Sequence, residues 1–168
     1  MEIYKAGDTK KKVLNPQDPS AIVDYGMRYK PEVWQAGENY EESINIVRPT
    51  IHNGYEYHVV SNGISGDIEP AWPTKKGVEF SDGTVQFKSF NYKSFLRPEE
   101  TLKAGTGSSW TATSGVTIAS DTFTTEGETD VRVGPIPNGV DEFEITNHVI
   151  EASGRKDDRT LVIKVKDR

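Results

Sequence analysis

Glycine and proline interrupt this chain about every ten residues, and the runs between them alternate apolar with polar side chains. That rhythm constrains the fold more than any other feature. It suits short strands joined by tight turns and leaves little room for a helix of ordinary length. Only RPEETLKAG, at 97–105, has helical punctuation, with early acidic residues and a stop at Gly105, and it predicts a single short turn. The run TLVIKVK, at 160–166, places Leu161, Ile163 and Val165 on one face and Thr160, Val162, Lys164 and Lys166 on the other. DEFEITNHVI, at 141–150, sets Phe143, Ile145 and Val149 against Glu142, Glu144 and His148. SSWTAT and GVTIAS are two short strands about Ser114-Gly115, and DTFTTEGETDVRV is strand, Gly turn, strand. ASGRKDDR joins the last two strands as a hairpin with Gly154 at its tight position. From about 106 to 168 the pattern predicts antiparallel strands that close as an immunoglobulin-like β-sandwich.

The middle of the chain is written differently. Trp34, Tyr40, Tyr55, Tyr57, Trp72, Phe80 and Phe87 crowd into it, among the turn pairs Asn53-Gly54, Asn62-Gly63 and Asp82-Gly83. Strands are expected at 44–48, 55–60, 77–80 and 84–88, the last two as a hairpin about Asp82-Gly83. The organisation that follows is all-β: a flexible N-terminal arm at 1–12, a sandwich built from 13–31 and 91–168, and a small β module inserted at 32–90.

Composition narrows the function classes. Of 168 residues, 34% are hydrophobic and 27% charged, so each unit has a thin core and gains from neighbours or oligomerisation. The formal net charge of −6 argues against nonspecific nucleic-acid binding, which needs a basic surface. Lys10, Lys11 and Lys12 form the one basic cluster, read as a solvated arm or a contact with an acidic partner. There is no cysteine, which excludes disulfides and thiolate metal sites. No segment approaches the roughly 20 apolar residues of a membrane span, and the start lacks the apolar run of a signal peptide. These features lead us to expect a soluble protein made in the cytosol, with no membrane partner.

The middle stretch carries Trp34, Tyr40, Val47-Arg48-Pro49, Asn53-Gly54 with Tyr57, Gly63-Ile64-Ser65-Gly66, Glu69-Pro70-Ala71-Trp72-Pro73, and Asp82-Gly83-Thr84-Val85 before Phe87. In this order, over some 55 residues, it resembles a module repeated in bacteriophage tail and fibre proteins, itself similar to the small chitin-binding domains of secreted chitinases. Those domains usually show adjacent aromatics after the central strand, where this chain has Val59-Val60-Ser61. The flanks, Asp18 to Tyr25, Trp110 to Thr117 and Ser153 to Arg159, resemble small virion proteins of tailed phages, some of them fibre–tail adaptors. In those proteins the first two parts lie close together, whereas here residues 32–90 separate them, which agrees with an insertion. The resemblance implies a virion location, other virion proteins as partners, a homo-oligomer, and a host glycan as a candidate ligand.

Candidate sites follow, each with a plainer alternative. Trp72, stiffened by Pro70 and Pro73, can be a stacking platform for a sugar or the plug of a small core. Tyr55 and Tyr57 share a strand face and can bind or simply pack across strands. Trp34 is expected to cap the module's core, and Trp110 to sit in the sandwich core or at a subunit contact. Arg155, Asp157, Asp158 and Arg159 form either a charged docking hairpin or a solvated turn. His52, His58 and His148 lack the spacing of a catalytic or zinc constellation. No phosphate loop or calcium loop is present, so no enzyme activity, metal or cofactor is expected. Two functions remain: a virion adaptor acting by docking at the tail or neck, or a capsid-decorating or glycan-binding protein acting through the inserted module. A glycan-cleaving enzyme finds no support at this level.

Overall fold

The computed structural model describes residues 2–4 and 11–17 as backbone, and 22–42 and 44–165 in full. Among them no helix occurs. The strands are, in order, β1 Glu2–Tyr4, β2 Lys11–Gln17, β3 Val23–Arg28, β4 Glu32–Val33, β5 Asn39–Tyr40, β6 Ile46–Arg48, β7 Tyr55–Ser61, β8 Gly63–Ile64, β9 Glu79–Asp82, β10 Val85–Asn91, β11 Ser108–Ala112, β12 Ile118–Phe123, β13 Glu128–Val133, β14 Glu142–Ile150 and β15 Lys156–Val165. The chain divides into two compact units, 1–28 with 95–168, and 29–94. The inserted module therefore begins three residues before, and ends four residues after, the bounds expected from sequence. Residues 97–105 form turns and one isolated bridge, Leu102 to Glu151, with the Glu100 side chain accepting from the Arg97 backbone N–H at 2.8 Å.

The first unit is a sandwich of two four-stranded sheets, ordered β1-β3-β13-β12 and β11-β14-β15-β2. Lettering β3 and β11 to β15 as B to G gives B-E-D in one sheet and C-F-G in the other, which is the immunoglobulin arrangement. The module lies in sequence between β3 and β11, in the place of a B–C connection. Period-2 patterning sets the core: Phe143, Ile145, Asn147 and Val149 of β14 are buried, and the residues between them are not. Leu161 and Ile163 of β15, Val131 and Val133 of β13, and Tyr25 and Met27 of β3 are buried with them. Trp110 belongs to this core as well, 7% exposed and registered opposite Asn147.

Asn147 is a polar residue in an apolar layer, and its bonds explain why it is tolerated. Its Nδ2 donates to Ser108 Oγ at 2.8 Å and to Ser109 O at 3.1 Å, while its Oδ1 accepts from Thr129 Oγ1 at 3.1 Å. Thr129 is on β13 and Asn147 on β14, so the pair joins the two sheets through satisfied groups.

The expected flexible arm at 1–12 is corrected in part. Glu2–Tyr4 runs parallel to β3, and Lys11 and Lys12 open β2, parallel to β15 with partners Thr160 and Leu161. A sheet with an unpaired edge recruits extended backbone whatever the side-chain charge, because the ladder bonds involve only backbone groups. Lys10 lies outside the described residues. The expected strands GVTIAS and DTF are one strand, β12.

The second unit carries the sheet β4-β6-β7-β10-β9 and a short ladder between β5 and β8. Asp82-Gly83 forms the expected tight hairpin between β9 and β10, with Val85 opposite Asp82 and Gly83 at φ +60°. Its core is Trp34, Tyr40, Val47, Tyr57, Val59, Val85 and Phe87.

Candidate functional site

The aromatic cluster of the inserted module is where the sequence placed a ligand face, and β7 and β10 build its floor. Alternation along β7 sends Tyr57 and Val59 inward, and alternation along β10 does the same for Val85 and Phe87. Trp72 comes down from the loop between β8 and β9 onto this floor. Its ring lies 4.4 Å from Tyr57, 5.6 Å from Phe80 and 5.8 Å from Phe87, centroid to centroid. Phe80 meets Tyr57 edge-on at 5.8 Å, and Tyr40 meets Phe87 edge-on at 5.7 Å.

The polar tips of these rings are all used. Asn53 Nδ2 donates to the Tyr57 hydroxyl at 2.8 Å, and that hydroxyl donates to Pro73 O at 3.0 Å. The Tyr40 hydroxyl accepts from the Gln35 N–H at 2.9 Å, and burial pushes this phenol up to about 12. Trp34 Nε1 donates to Asp82 Oδ2 at 2.7 Å, and Asp82 Oδ1 accepts from the Gly66 N–H at 3.1 Å. Trp72 Nε1 donates to Glu69 Oε1 at 2.8 Å, and the same oxygen accepts from the Thr50 N–H at 2.8 Å. Burial pushes the Glu69 carboxyl up, but these bonds outweigh it and the group is held below its ordinary 4.5. Gly63 is required for packing, because a Cβ there would stand 2.4 Å from the backbone of Thr84.

Of the three aromatics proposed as a ligand face, Tyr57 is fully buried and is a packing and hydrogen-bonding residue. Tyr55 and Trp72 are half-buried against the cluster. Trp72 thus leaves only part of its ring to solvent, and no coplanar pair of exposed rings forms among these three. What the loops do expose is aliphatic: Ile51 is 85% and Ile68 83% exposed, on the two loops that Glu69 ties together.

The charged hairpin is also spoken for. The Arg155 guanidinium sits 4.3 Å over the Phe95 ring and pairs with Glu100. Arg159 and Asp157 are nearly buried and bond each other at 2.9 Å, while Asp158 meets His148 Nδ1 at 2.9 Å. His52 stacks edge-on against Tyr92 at 4.9 Å, and His58 Nε2 lies 3.1 Å from Glu56 Oε1. Among the described residues no three His, Asp or Glu side chains converge as a metal site, and no helix is long and apolar enough to cross a membrane.

Sequence reasoning missed three buried or half-buried carboxylates that organise the module. Glu56 accepts at Oε2 from Ser94 N (3.2 Å), Ser94 Oγ (2.8 Å) and Lys93 N (3.3 Å), fastening the return segment to β7. Asp82 and Glu69 each anchor a tryptophan. A signal for Glu69 was present, three residues before Trp72 in a proline-stiffened stretch. Comparisons with family models, curated proteins and solved structures found no match.

Proposed function

We propose that this chain is a structural component of a bacteriophage particle, an adaptor at the tail or neck that joins fibres or neighbouring ring proteins by protein–protein docking. The observation that carries the choice between docking and sugar stacking is the burial of Tyr57 beneath Trp72, which uses the inserted aromatics as a core. The virion assignment itself draws support from the sequence resemblance of the flanks. Its mechanism is adhesion through unpaired strand edges, where backbone groups supply affinity and side chains supply selectivity.

A cryo-electron map of the particle that bears this protein tests the reading. A ring at the tail or neck is the expected result. Density scattered over the capsid makes the protein a decoration, and absence from the particle refutes the virion role.

A second reading, host-glycan binding, has one observation in its favour: Trp72 keeps part of its ring in solvent beside the exposed Ile51 and Ile68 loops. A glycan array probed with the full chain decides it. Binding that Trp72→Ala abolishes establishes the reading, and a blank array removes it.

A further inference from the structure

Three adjacent strands of the sandwich join a hydroxyl, an imidazole and a carboxylate in one hydrogen-bonded chain. Thr111 Oγ1 lies 3.0 Å from His148 Nε2, and His148 Nδ1 lies 2.9 Å from Asp158 Oδ1. His148 stands 37 residues from Thr111 and 10 from Asp158 in sequence, so no local motif announces the set. β11, β14 and β15 are neighbours in their sheet. Alternation turns Thr111, His148 and Asp158 outward, while Trp110, Asn147 and Arg159 beside them are buried. His148 is registered directly opposite Asp158. Thr111 is opposite Thr146, two residues from His148, and so reaches the imidazole on the diagonal.

One arrangement of protons satisfies both contacts with a neutral imidazole. An ionised carboxylate only accepts, so Nδ1 carries the hydrogen and donates to Asp158. Nε2 then has a free lone pair and accepts from the Thr111 hydroxyl. Each group thus stands where a nucleophile, its base and the base's orienting partner are needed. β11 is the outermost strand of its sheet. The Thr113 N–H donates to Glu144 O and the Ile150 N–H to Gly107 O, both at 2.9 Å, so odd-numbered residues of β11 turn their backbone groups toward β14. The N–H of Ala112, the residue after Thr111, is therefore directed off the sheet edge, where it can meet an oxygen that gains negative charge.

We propose that Thr111, His148 and Asp158 form an acyl-transfer site that cleaves small esters. Thr111 Oγ1 attacks the ester carbonyl carbon while its proton passes to His148 Nε2. The bond from that carbon to the alcohol oxygen breaks, the leaving oxygen takes the proton, and the acyl group remains on Oγ1. Water, deprotonated by the same nitrogen, then releases the acid and restores the hydroxyl. Thr111 and Asp158 are exposed on an open sheet face, which suits an acetyl group on an accessible oxygen and not a long acyl chain that needs a cleft.

Hydrolysis of p-nitrophenyl acetate by the full chain, with mass spectrometry of its peptides, tests this. We expect nitrophenolate release faster than by free imidazole at equal concentration, and an acetyl group on the peptide that carries Thr111. Thr111→Val keeps the branched shape and should remove both signals. His148→Ala should slow release about 100-fold, as loss of a positioned general base does. Asp158 acts through His148 and is a positioning residue, so Asp158→Asn should lower kcat about tenfold and leave KM unchanged. Ser109 is directly opposite His148, and Ser109→Ala should leave the rate as it is. Circular dichroism checks each fold. Release no faster than by imidazole, acetyl groups on lysines alone, or a full rate in Thr111→Val overturns the proposal. The site is independent of the virion role: absence from particles leaves the ester cleavage standing, and absence of cleavage leaves the docking reading standing.

Discussion

The inward faces of β14 and β15 are filled by Phe143, Ile145, Val149, Leu161 and Ile163, while those of β7 and β10 are filled by Tyr57, Val59, Val85 and Phe87, with Trp34, Tyr40 and Trp72 closing over them. The sandwich buries mostly branched aliphatics in long regular ladders, with Tyr25, Trp110 and Phe143 among them. The module has short strands and many turns, so each buried side chain must cover more area, and rings do that. Rings with polar tips bring an obligation: every buried hydroxyl or indole N–H needs a partner. The module meets it with Asp82, Glu69, Asn53 and the Pro73 carbonyl. The comparison teaches that a unit of this size acquires its specificity from hydrogen-bonded aromatics, whereas the sandwich acquires it from strand register.

Large truncations test this most directly. Phe87→Ala should cost about 3–5 kcal/mol and Ile145→Ala about 2–5 kcal/mol, each acting first on its own unit. Hydrogen exchange read strand by strand should show β7 and β10 losing protection in the first variant, and β14 and β15 in the second. If both variants loosen both units equally, the two cores are not energetically distinct. Next in size is Trp34→Phe, which keeps most of the ring and removes the donor to Asp82. Leaving that buried carboxylate short of a bond should cost about 1–3 kcal/mol, measured by urea denaturation of the module.

Much of this contrast was legible beforehand. Alternation in DEFEITNHVI named Phe143, Ile145 and Val149 as a buried face, and Asp82-Gly83 and Gly154 marked the turns that form. The change from aliphatic to aromatic spacing marked the insertion to within a few residues of its bounds. Pattern failed where a residue's role depends on a distant partner. Glu56 and Asp82 look like surface carboxylates, because charge normally stays in water, and only the fold brings Ser94 and Trp34 to them. Arg155 and Arg159 read as docking charges because nothing local reveals Phe95 and Glu100, or that Arg159 faces inward with Leu161. The parallel pairing of β1 and β2 also lies beyond local patterning, since strand direction is set by contacts far apart in sequence.

Acid should separate the units further. Burial pushes the Glu56 carboxyl up, but bonds from His58, Ser94 and Lys93 outweigh it and hold the group below its ordinary 4.5. A carboxyl lowered on folding stabilises the fold above its unfolded value, and that stability is lost as pH falls through the folded value. Glu69 acts in the same sense. In the sandwich, Asp24 and Glu151 are lowered by hydrogen bonds from Arg132 and Ser153, but Asp130 is raised and offsets part of their effect. Below about pH 4.5 the module should therefore lose stability more steeply than the sandwich. Glu56→Gln should flatten the module's acid limb in pH-dependent melts while leaving that of the sandwich unchanged; an unchanged module limb would remove Glu56 from the account.

The smallest expected effect isolates the polar tip from the ring. Tyr57→Phe preserves the contact with Trp72 and deletes only the hydroxyl that links Asn53 to Pro73. The loss should be about 1 kcal/mol in module stability, because the part-buried Pro73 carbonyl loses its donor and Asn53 Nδ2 its acceptor while the packing stays. The same variant should raise hydrogen exchange in the loop around Pro73 more than in β7, since the hydroxyl is the tether and the ring is the floor. A loss near zero would mean that the module is held by ring area alone, and the distinction between the two cores would reduce to side-chain size.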